Sequence, residues 1–274
     1  MSRAVEELLL GGVDFTSRPT HRKPITVATG RCSGGVVRVE RLDEHVTFAG
    51  LSTWLAQPGP WVAGFDFPFG LPRELVEALH WPTTWHALMQ HFTALSRDEV
   101  RGTFAAFCDA RPVGAKFAHR ATDGPAGSSP SMRWVNPPVA LMMHAGVPLL
   151  LEAGVSLPGV HAADETRVAL EAYPGLLARE LIGRRSYKSD ERAKQTGERL
   201  IARKDLIEAL EQGRTRLGLR VRLSHAMRDA LVADASGDRL DAVLCLTLAA
   251  WAAGRPRHGL PDLIDPLEGW IVGA

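Results

Sequence analysis

The sequence is poor in cysteine, almost neutral in net charge and without a long apolar run, and each shortage excludes a class of protein. Three cysteines occur in 274 residues, far apart and odd in number. They indicate neither a disulfide framework nor a cysteine zinc site, so we expect reduced thiols in a cytoplasmic protein. The most apolar stretch, 242–254, is too short for a comfortable membrane span, and the N-terminus does not look like a signal peptide.

Several common catalytic motifs are also missing. The ten histidines form no HxxxH or HExxH pair, which argues against a zinc hydrolase. No Gly-x-Ser-x-Gly elbow of a serine hydrolase is present. The segment "GPAGSSPS" is rich in glycine but lacks the GK[ST] ending of a P-loop. The formal net charge of +1 means that any surface binding an acidic partner must be a local patch.

The composition is that of an ordinary globular protein, with 45% apolar and 23% charged residues. Apolar runs and turn residues predict three strands at 8–15, 25–29 and 36–42, which would form an antiparallel meander. Helical spacing follows at 47–57, and an apolar strand follows at 61–67. Because such a crossover is right-handed, the fourth strand should lie parallel to a neighbour.

The second half of the chain is predicted to be mainly helical around one more strand. Residues 71–165 contain helical pieces and a loop rich in glycine, serine and proline, and we interpret them as an insertion carried on the sheet. After it we predict a strand at 167–174 and helices at 198–212, 225–236 and 237–254. The sequence thus predicts a single α/β domain over 1–274, with a large insertion at about 71–165 after the fourth strand.

Carboxylates stand beside apolar segments at four places. Asp14 and Asp66 lie near the ends of predicted strands, where functional groups gather in α/β sheets. Glu171 follows another apolar run. Asp238 and Asp241 share one face in the first turn of the last helix. Two bare carboxylates about 4 Å apart repel by roughly 4 kcal/mol at an effective dielectric near 20, so a cluster would require a cation. Oxygen ligands suit Mg²⁺ or Mn²⁺.

Each acid also has an ordinary structural explanation. Asp14 could cap a turn or pair with one of the basic residues that follow it, and Asp66 could start a turn. Glu171 could pair with an arginine, and Asp238 could cap the last helix. Considered together, their places at strand ends and at a helix start favour a metal-binding cluster.

These segments resemble a known family. In order, the chain contains "GVDFTS", "GFDFPFGLP", "KFAHRATDGPAGSSPSMRWVNPP", "EAYPGLLAREL", "GDRLDAVLCLTLAAW" and "EGWI". They resemble the domain of unknown function 429, described as predicted nucleases with a ribonuclease H-like fold, over nearly the whole chain. The resemblance implies a mixed sheet of three antiparallel strands followed by parallel strands, with helices on both faces.

The resemblance also implies roles for the acids. Asp14 matches a metal ligand on the first strand of the wider superfamily, and Asp66 matches an acid at the end of the fourth strand. Asp238 and Asp241 match acids of the last helix, while Glu171 is this family's own acidic position. We expect Asp14, Asp66, Glu171 and Asp241 to be catalytic, and Asp14, Asp66, Asp238 and Asp241 to hold metal.

Basic residues near these acids are candidates for substrate binding. Arg18 closely follows the first acid, and Lys116 and Arg120 lie in "KFAHRATDG", where they could clamp a phosphate. The segment 179–222 is rich in Arg and Lys and could either follow a phosphate backbone or be an ordinary solvated surface.

We therefore expect a Mg²⁺- or Mn²⁺-dependent nuclease that hydrolyses nucleic-acid phosphodiester bonds by a two-metal-ion mechanism. One alternative is an ATP-dependent phosphotransferase of the actin-like and sugar-kinase superfamily, although "DFTSRPTHRKP" lacks the glycines expected after the first strand. The other is a non-catalytic nucleic-acid-binding module with the same fold. A nucleic acid is the expected partner, DNA or RNA, and no membrane partner is expected.

Overall fold

One mixed sheet of seven strands forms the centre of the structure, a computed structural model that describes residues 8–274. The sequence's seven N-terminal residues, where no signal peptide was expected, lie outside the described residues. In chain order the strands are β1 (Leu9–Asp14), β2 (Ile25–Ser33), β3 (Val36–His45), β4 (Trp61–Phe65), β5 (Val155–Ser156), β6 (Asp164–Glu171) and β7 (Arg220–Arg222). Their order across the sheet is β5-β6-β4-β1-β2-β3-β7.

The strand pairing confirms the predicted meander and crossover. β1 pairs antiparallel with β2, and β2 pairs antiparallel with β3. β4 lies parallel to β1 on its other side, and β6 lies parallel to β4. Strands β5 and β7 were not predicted, because segments of two and three residues are too short for an alternating pattern to show.

Ten α-helices are present in residues 8–274, and helices pack on both faces of the sheet. They are α1 (Phe48–Leu55), α2 (Arg73–Ala78), α3 (Trp85–Ala94), α4 (Arg97–Asp109), α5 (Asp123–Ala126), α6 (Val139–Ala153), α7 (Pro174–Ile182), α8 (Gly197–Glu211), α9 (His225–Ala233) and α10 (Asp238–Ala253). In that same part of the chain, no helix combines the length and the apolar character needed to cross a bilayer.

Alternate residues of the central strands belong to two separate hydrophobic cores, one on each face of the sheet. Val13 and Phe65 pack with α1, α2, α3, α4 and α6 on one face of the sheet. Leu10 and Val62 pack with α7, α8, α9 and α10 on the other face. This is the period of two expected for strands that are buried on both sides. Residues 71–165, predicted as an insertion, form α2 to α6 and β5, and their status as an insertion stays a prediction.

Two facing glycines allow α10 to lie directly on the sheet. Gly12 of β1 is opposite Gly64 of β4. A Cβ atom at Gly12 would lie 2.1 Å from the carbonyl oxygen of Ala242, and one at Gly64 would lie 2.7 Å from that of Cys245. Only glycine permits such a close approach of helix and strand backbones. The first turn of α10 is thereby held above the carboxyl ends of β1 and β4.

Candidate metal centre

Three of the predicted acids meet at the carboxyl edge of the sheet. Asp14 is the last residue of β1, Asp66 directly follows β4, and Asp241 lies in the first turn of α10. One oxygen of each carboxylate lies within 4.8 Å of the other two. Asp14 is 7% exposed and Asp241 is fully buried, while Asp66 is partly exposed. We call this group the acidic triad.

The alternation of the strands explains why these acids share one face. Asp14 follows Gly12 by two residues, and Asp66 follows Gly64 by two residues, so both side chains point toward the face that α10 covers. The parallel, in-register pairing of β1 and β4 brings the two strand ends together. The N-terminus of α10, where the helix dipole is positive, then adds Asp241 to the pair.

The triad is short of compensating contacts. Within residues 8–274, no group donates a hydrogen bond to the carboxylate of Asp14 or Asp66. Burial raises the pKa of Asp14 well above its usual value, and the charges of Asp238 and Asp241 raise it further. Burial likewise raises the pKa of Asp66 to about 7. Both carboxylates are therefore costly to ionise in the absence of an additional cation.

Asp241 differs from the other two acids because it is hydrogen bonded from two sides. The hydroxyl of Tyr187 donates to its Oδ1 atom at 2.5 Å, and the Nζ atom of Lys188 donates to its Oδ2 atom. Burial lowers the pKa of Lys188, but the charge of Asp241 outweighs this effect, and the pKa lies well above its usual value. Lys188 is therefore a charged ammonium group beside the triad.

Tyr187 and Lys188 are site residues that the sequence did not single out. They belong to the connection between α7 and α8, inside the basic segment 179–222. The only available signal was the abundance of Arg and Lys there. Nothing in the local pattern distinguishes Lys188 from the other basic residues of the segment, because its role depends on the position of α10.

The donor set fits an oxygen-loving divalent cation. When ionised, the three carboxylates carry three negative charges, and Lys188 supplies one positive charge, so two negative charges remain. Mg²⁺ and Mn²⁺ carry the matching charge and prefer carboxylate and water oxygens. The triad could hold such an ion, with the partly exposed Asp66 on the open side.

Asp238 lies beside the triad and has its own cation. Its Oδ1 atom accepts a hydrogen bond of 2.7 Å from the Nζ atom of Lys23, which also contacts Asp190 at 2.8 Å. Gly237, and not Asp238, occupies the N-cap position of α10. The predicted contribution of Asp238 to metal binding would require it to exchange Lys23 for the metal, and it stays a prediction.

Glu171 faces away from the triad. In the parallel pairing it lies opposite Phe65, whose side chain belongs to the core on the other face of the sheet. Its carboxylate accepts hydrogen bonds from Arg120 at 2.6 and 2.8 Å and from the backbone N–H of Phe69 at 2.9 Å. The arginine partner considered as an alternative for Glu171 is thus present, and its catalytic role stays a prediction.

Arg120 is enclosed in the same internal network. The side chain is 3% exposed, and each of its five N–H donors has a partner. Two donate to Asp123 at 3.0 and 3.1 Å, two donate to Glu171, and one donates to the carbonyl oxygen of Glu268 at 2.9 Å. This network joins the segment 118–131, which includes α5, to the end of β6 and to the C-terminal segment. No donor of Arg120 is left for a substrate.

The other two predicted substrate-binding residues are exposed. Lys116 lies on the 111–117 loop, where its Nζ atom is 3.8 Å from a carboxylate oxygen of Asp109. Arg18 lies in the connection after β1, next to Ser17, which lines the cleft described below. Of the two, only Arg18 is adjacent in sequence to a residue of that cleft.

A cleft of about 790 Å³ opens above the triad. Asp14 and Asp66 lie at its base. Its remaining lining comes from the connection after β1, the start of α6, the connection between α7 and α8, and the start of α10. These residues are Phe15, Thr16, Ser17, Thr20, Arg22, Lys23, Pro137, Pro138, Met142, Lys188, Asp190, Arg192, Gln195, Ser236 and Asp238.

Comparison with known proteins identifies a family to which the chain is similar. The profile of a family described as "Protein of unknown function (DUF429)" matches residues 12–262, a stretch that contains all members of the triad. Searches of curated proteins and of solved structures find no match.

Proposed function

Because the chain belongs to the DUF429 family and its fold gathers three carboxylates in one cluster, we propose that it is a Mg²⁺- or Mn²⁺-dependent nuclease with a ribonuclease H-like fold. The observation that carries this proposal is the grouping of Asp14, Asp66 and Asp241 within 4.8 Å, with Asp14 and Asp66 lining a cleft. A divalent cation bound there would supply an activated water and stabilise charge on a phosphodiester.

The sheet supports the ribonuclease H-like part of the proposal. The antiparallel meander of β1, β2 and β3 is followed by β4, parallel to β1, which is the arrangement implied by the resemblance. An acid stands at the carboxyl end of both central strands, and the last long helix supplies the third.

The protein's own residues have separable tasks in this proposal. Asp14, Asp66 and Asp241 hold the cation, and Tyr187 fixes the orientation of Asp241 by its hydrogen bond. Lys188 neutralises part of the triad's charge in the absence of the cation. The two-metal-ion form of the reaction requires a further acid, and Asp238 is the neighbour that could provide it after release from Lys23. The number of Mn²⁺ ions bound per chain distinguishes the one-ion form from the two-ion form.

The structure offers less support for the ATP-dependent phosphotransferase. The connection between β1 and β2 contains Pro19 and Pro24 in place of a glycine-rich phosphate loop. The glycine turn at Gly34 and Gly35 joins β2 to β3 at the opposite end of the sheet from the triad. ATP binding measured by calorimetry would revive this alternative. A non-catalytic binding module would bind nucleic acid equally well with and without a divalent cation.

The direct test is cleavage of labelled DNA and RNA, single-stranded and duplex, in the presence of Mg²⁺, Mn²⁺ or EDTA. We expect cleavage that requires the cation and is lost in Asp14→Asn and Asp241→Asn, with circular dichroism unchanged. Asp229→Asn is the matched control, because Asp229 is exposed on α9 and lies outside the cleft. Absence of cleavage with every substrate and cation would refute the nuclease proposal, and full activity of Asp14→Asn would remove the triad from it.

A further inference from the structure

The two walls of the cleft above the triad have opposite character. One wall carries Arg22, Lys188 and Arg192. The other carries Pro137 and Pro138, which precede α6, and Met142 in its first turn. Of this apolar wall, Pro137 is exposed and the other two residues are partly exposed. We call the first group the charged wall and the second the apolar wall, and both border the cleft that Asp14 and Asp66 also line.

Two arginines of the charged wall have no acidic partner in the structure. Within residues 8–274, no carboxylate forms an ion pair with Arg22 or Arg192, and both side chains are exposed. Arg185, which does not line the cleft, is by contrast paired with Asp205 at 2.6 Å. Unpaired arginines that line a cleft provide planar, charge-assisted hydrogen bonds for phosphate groups.

Phosphate groups do not explain the apolar wall, which must contact an apolar part of the ligand. A duplex presents phosphates and groove edges to a protein, while the faces of its bases are covered by stacking. An unpaired nucleotide exposes the face of its base, which packs well against apolar and aromatic side chains. Pro137, Pro138 and Met142 therefore match an unpaired base better than they match a duplex surface.

The burial of the triad also favours a single strand over a duplex. Asp14 is 7% exposed and Asp241 is fully buried, so a phosphodiester reaches the triad only by entering the cleft. A single strand is flexible enough to enter between two walls, whereas a duplex is a stiff rod.

We propose that the substrate is a single-stranded nucleic acid, with phosphates along Arg22 and Arg192 and one unpaired base against Pro137, Pro138 and Met142. The scissile phosphodiester would then lie above the triad, next to that base. This inference rests on the proposed nuclease function and adds the class of substrate to it.

The first test compares oligonucleotide binding by fluorescence anisotropy, with Ca²⁺ in place of Mg²⁺ to limit cleavage. The probes are a fluorescein-labelled single strand of DNA, the same strand of RNA, and the matching blunt duplexes. A further series carries one abasic tetrahydrofuran unit at successive positions. We expect single strands to bind at least about tenfold more tightly than duplexes, and an abasic unit at one position to weaken binding about tenfold. Equal or tighter binding of the duplex, or an equal effect of the abasic unit at every position, would overturn the inference.

The second test locates the base. Met142→Ala should weaken binding of the complete strand several-fold and leave binding of the strand with the critical abasic unit unchanged. The reason is that the abasic strand lacks the base that Met142 contacts, so removing the methionine side chain costs it nothing further. An equal loss with both strands would place the base elsewhere. The abasic series uses the unaltered protein, so it decides the question even if this variant folds poorly.

The third test concerns the phosphates. Arg192→Ala should reduce the slope of log affinity against log salt concentration by about 0.7, the value for one phosphate contact on a single strand. Arg222→Ala is the matched control, because Arg222 is exposed on the edge strand β7 and does not line the cleft. An unchanged slope for Arg192→Ala would contradict the proposed phosphate path.

Cleavage of the same probes with Mg²⁺ or Mn²⁺ separates the two proposals. Cleavage of duplexes alone would overturn the single-strand inference and leave the nuclease function standing. Tight binding of single strands without cleavage under any cation would refute the nuclease function and retain the binding site.

Discussion

Replacing Asp66 by asparagine should make the metal-free protein more stable above neutral pH and remove its response to divalent cations. Burial raises the pKa of Asp66 from 3.8 to about 7, and no protein group in residues 8–274 donates a hydrogen bond to it. A carboxyl group with a raised pKa binds its proton more tightly in the folded state than in the unfolded state. The contribution of Asp66 to the free energy of unfolding therefore falls as pH rises from about 4 to about 7 and is constant above that range.

The size of the effect follows from the difference between the two pKa values. A difference of about three pH units corresponds to at most about 4 kcal/mol, and solvent in the cleft reduces this value. Asparagine carries no charge, so Asp66→Asn should raise the free energy of unfolding by up to that amount at about pH 8. At about pH 5 the gain should be smaller, at most about 1.6 kcal/mol, because the native Asp66 is then still protonated and only the unfolded chain has lost its proton. In a chain of this size, 1 kcal/mol shifts the melting temperature by about 2–4 °C.

Thermal and urea unfolding at both pH values, with EDTA or with Mn²⁺, measures both parts of the prediction. The unaltered protein should gain about 2.7 kcal/mol when the cation is present at about 100 times its dissociation constant, whereas Asp66→Asn should gain little. Asp229→Asn, at an exposed position on α9, should behave like the unaltered protein. Destabilisation of the metal-free protein by Asp66→Asn at about pH 8 would contradict the raised pKa, and a full response of the variant to Mn²⁺ would exclude Asp66 as a ligand.

Three further predictions test the architecture around the triad. Gly12→Ala should destabilise the protein by about 3 kcal/mol or more in urea unfolding and weaken Mn²⁺ binding, because the added Cβ would clash with the backbone of α10. The control Gly102→Ala, in open space on α4, should show neither effect. Glu171→Gln should lower the free energy of unfolding by about 3–5 kcal/mol, because it leaves buried Arg120 without its full counter-charge. The affinity for Mn²⁺ should be nearly unchanged, and a large loss of that affinity would place Glu171 in the metal site. Mn²⁺ affinity by calorimetry should rise as pH increases through about 7, because the cation competes with the proton of Asp66; a flat profile from about pH 5 would contradict the raised pKa.

The predictions for Asp66 rest on one physical feature, which is that the ionised triad lowers the stability of the fold that builds it. Asp14 and Asp66 are costly to ionise because burial removes water without supplying donors. Glu171 is also buried, and burial raises its pKa, but Arg120 and the backbone of Phe69 satisfy its carboxylate. A gain in stability on neutralising the first two, and a loss on neutralising Glu171, would distinguish a ligand site from a structural ion pair.

Local pattern was enough to predict the elements that carry the triad. The apolar runs before Asp14 and Asp66 correspond to β1 and β4, and the apolar, helically spaced segment after Asp238 corresponds to α10. Strand and helix periodicity are properties of neighbouring residues, so a single sequence displays them. The short strands β5 and β7 gave no such signal.

The sequence by itself determined which carboxylates end strands or begin a helix, and therefore that several acids would lie near one edge of an α/β sheet. Only the tertiary structure decided which of them meet. Glu171 is the last residue of β6, as Asp14 is of β1, but its side chain points to the opposite face, where Arg120 neutralises it. The contacts of Lys188 with Asp241 and of Lys23 with Asp238 were likewise absent from any local pattern. The physical reason is that strand alternation is fixed locally, whereas the charge that reaches a side chain comes from distant segments, placed by the packing of α10 on two glycines.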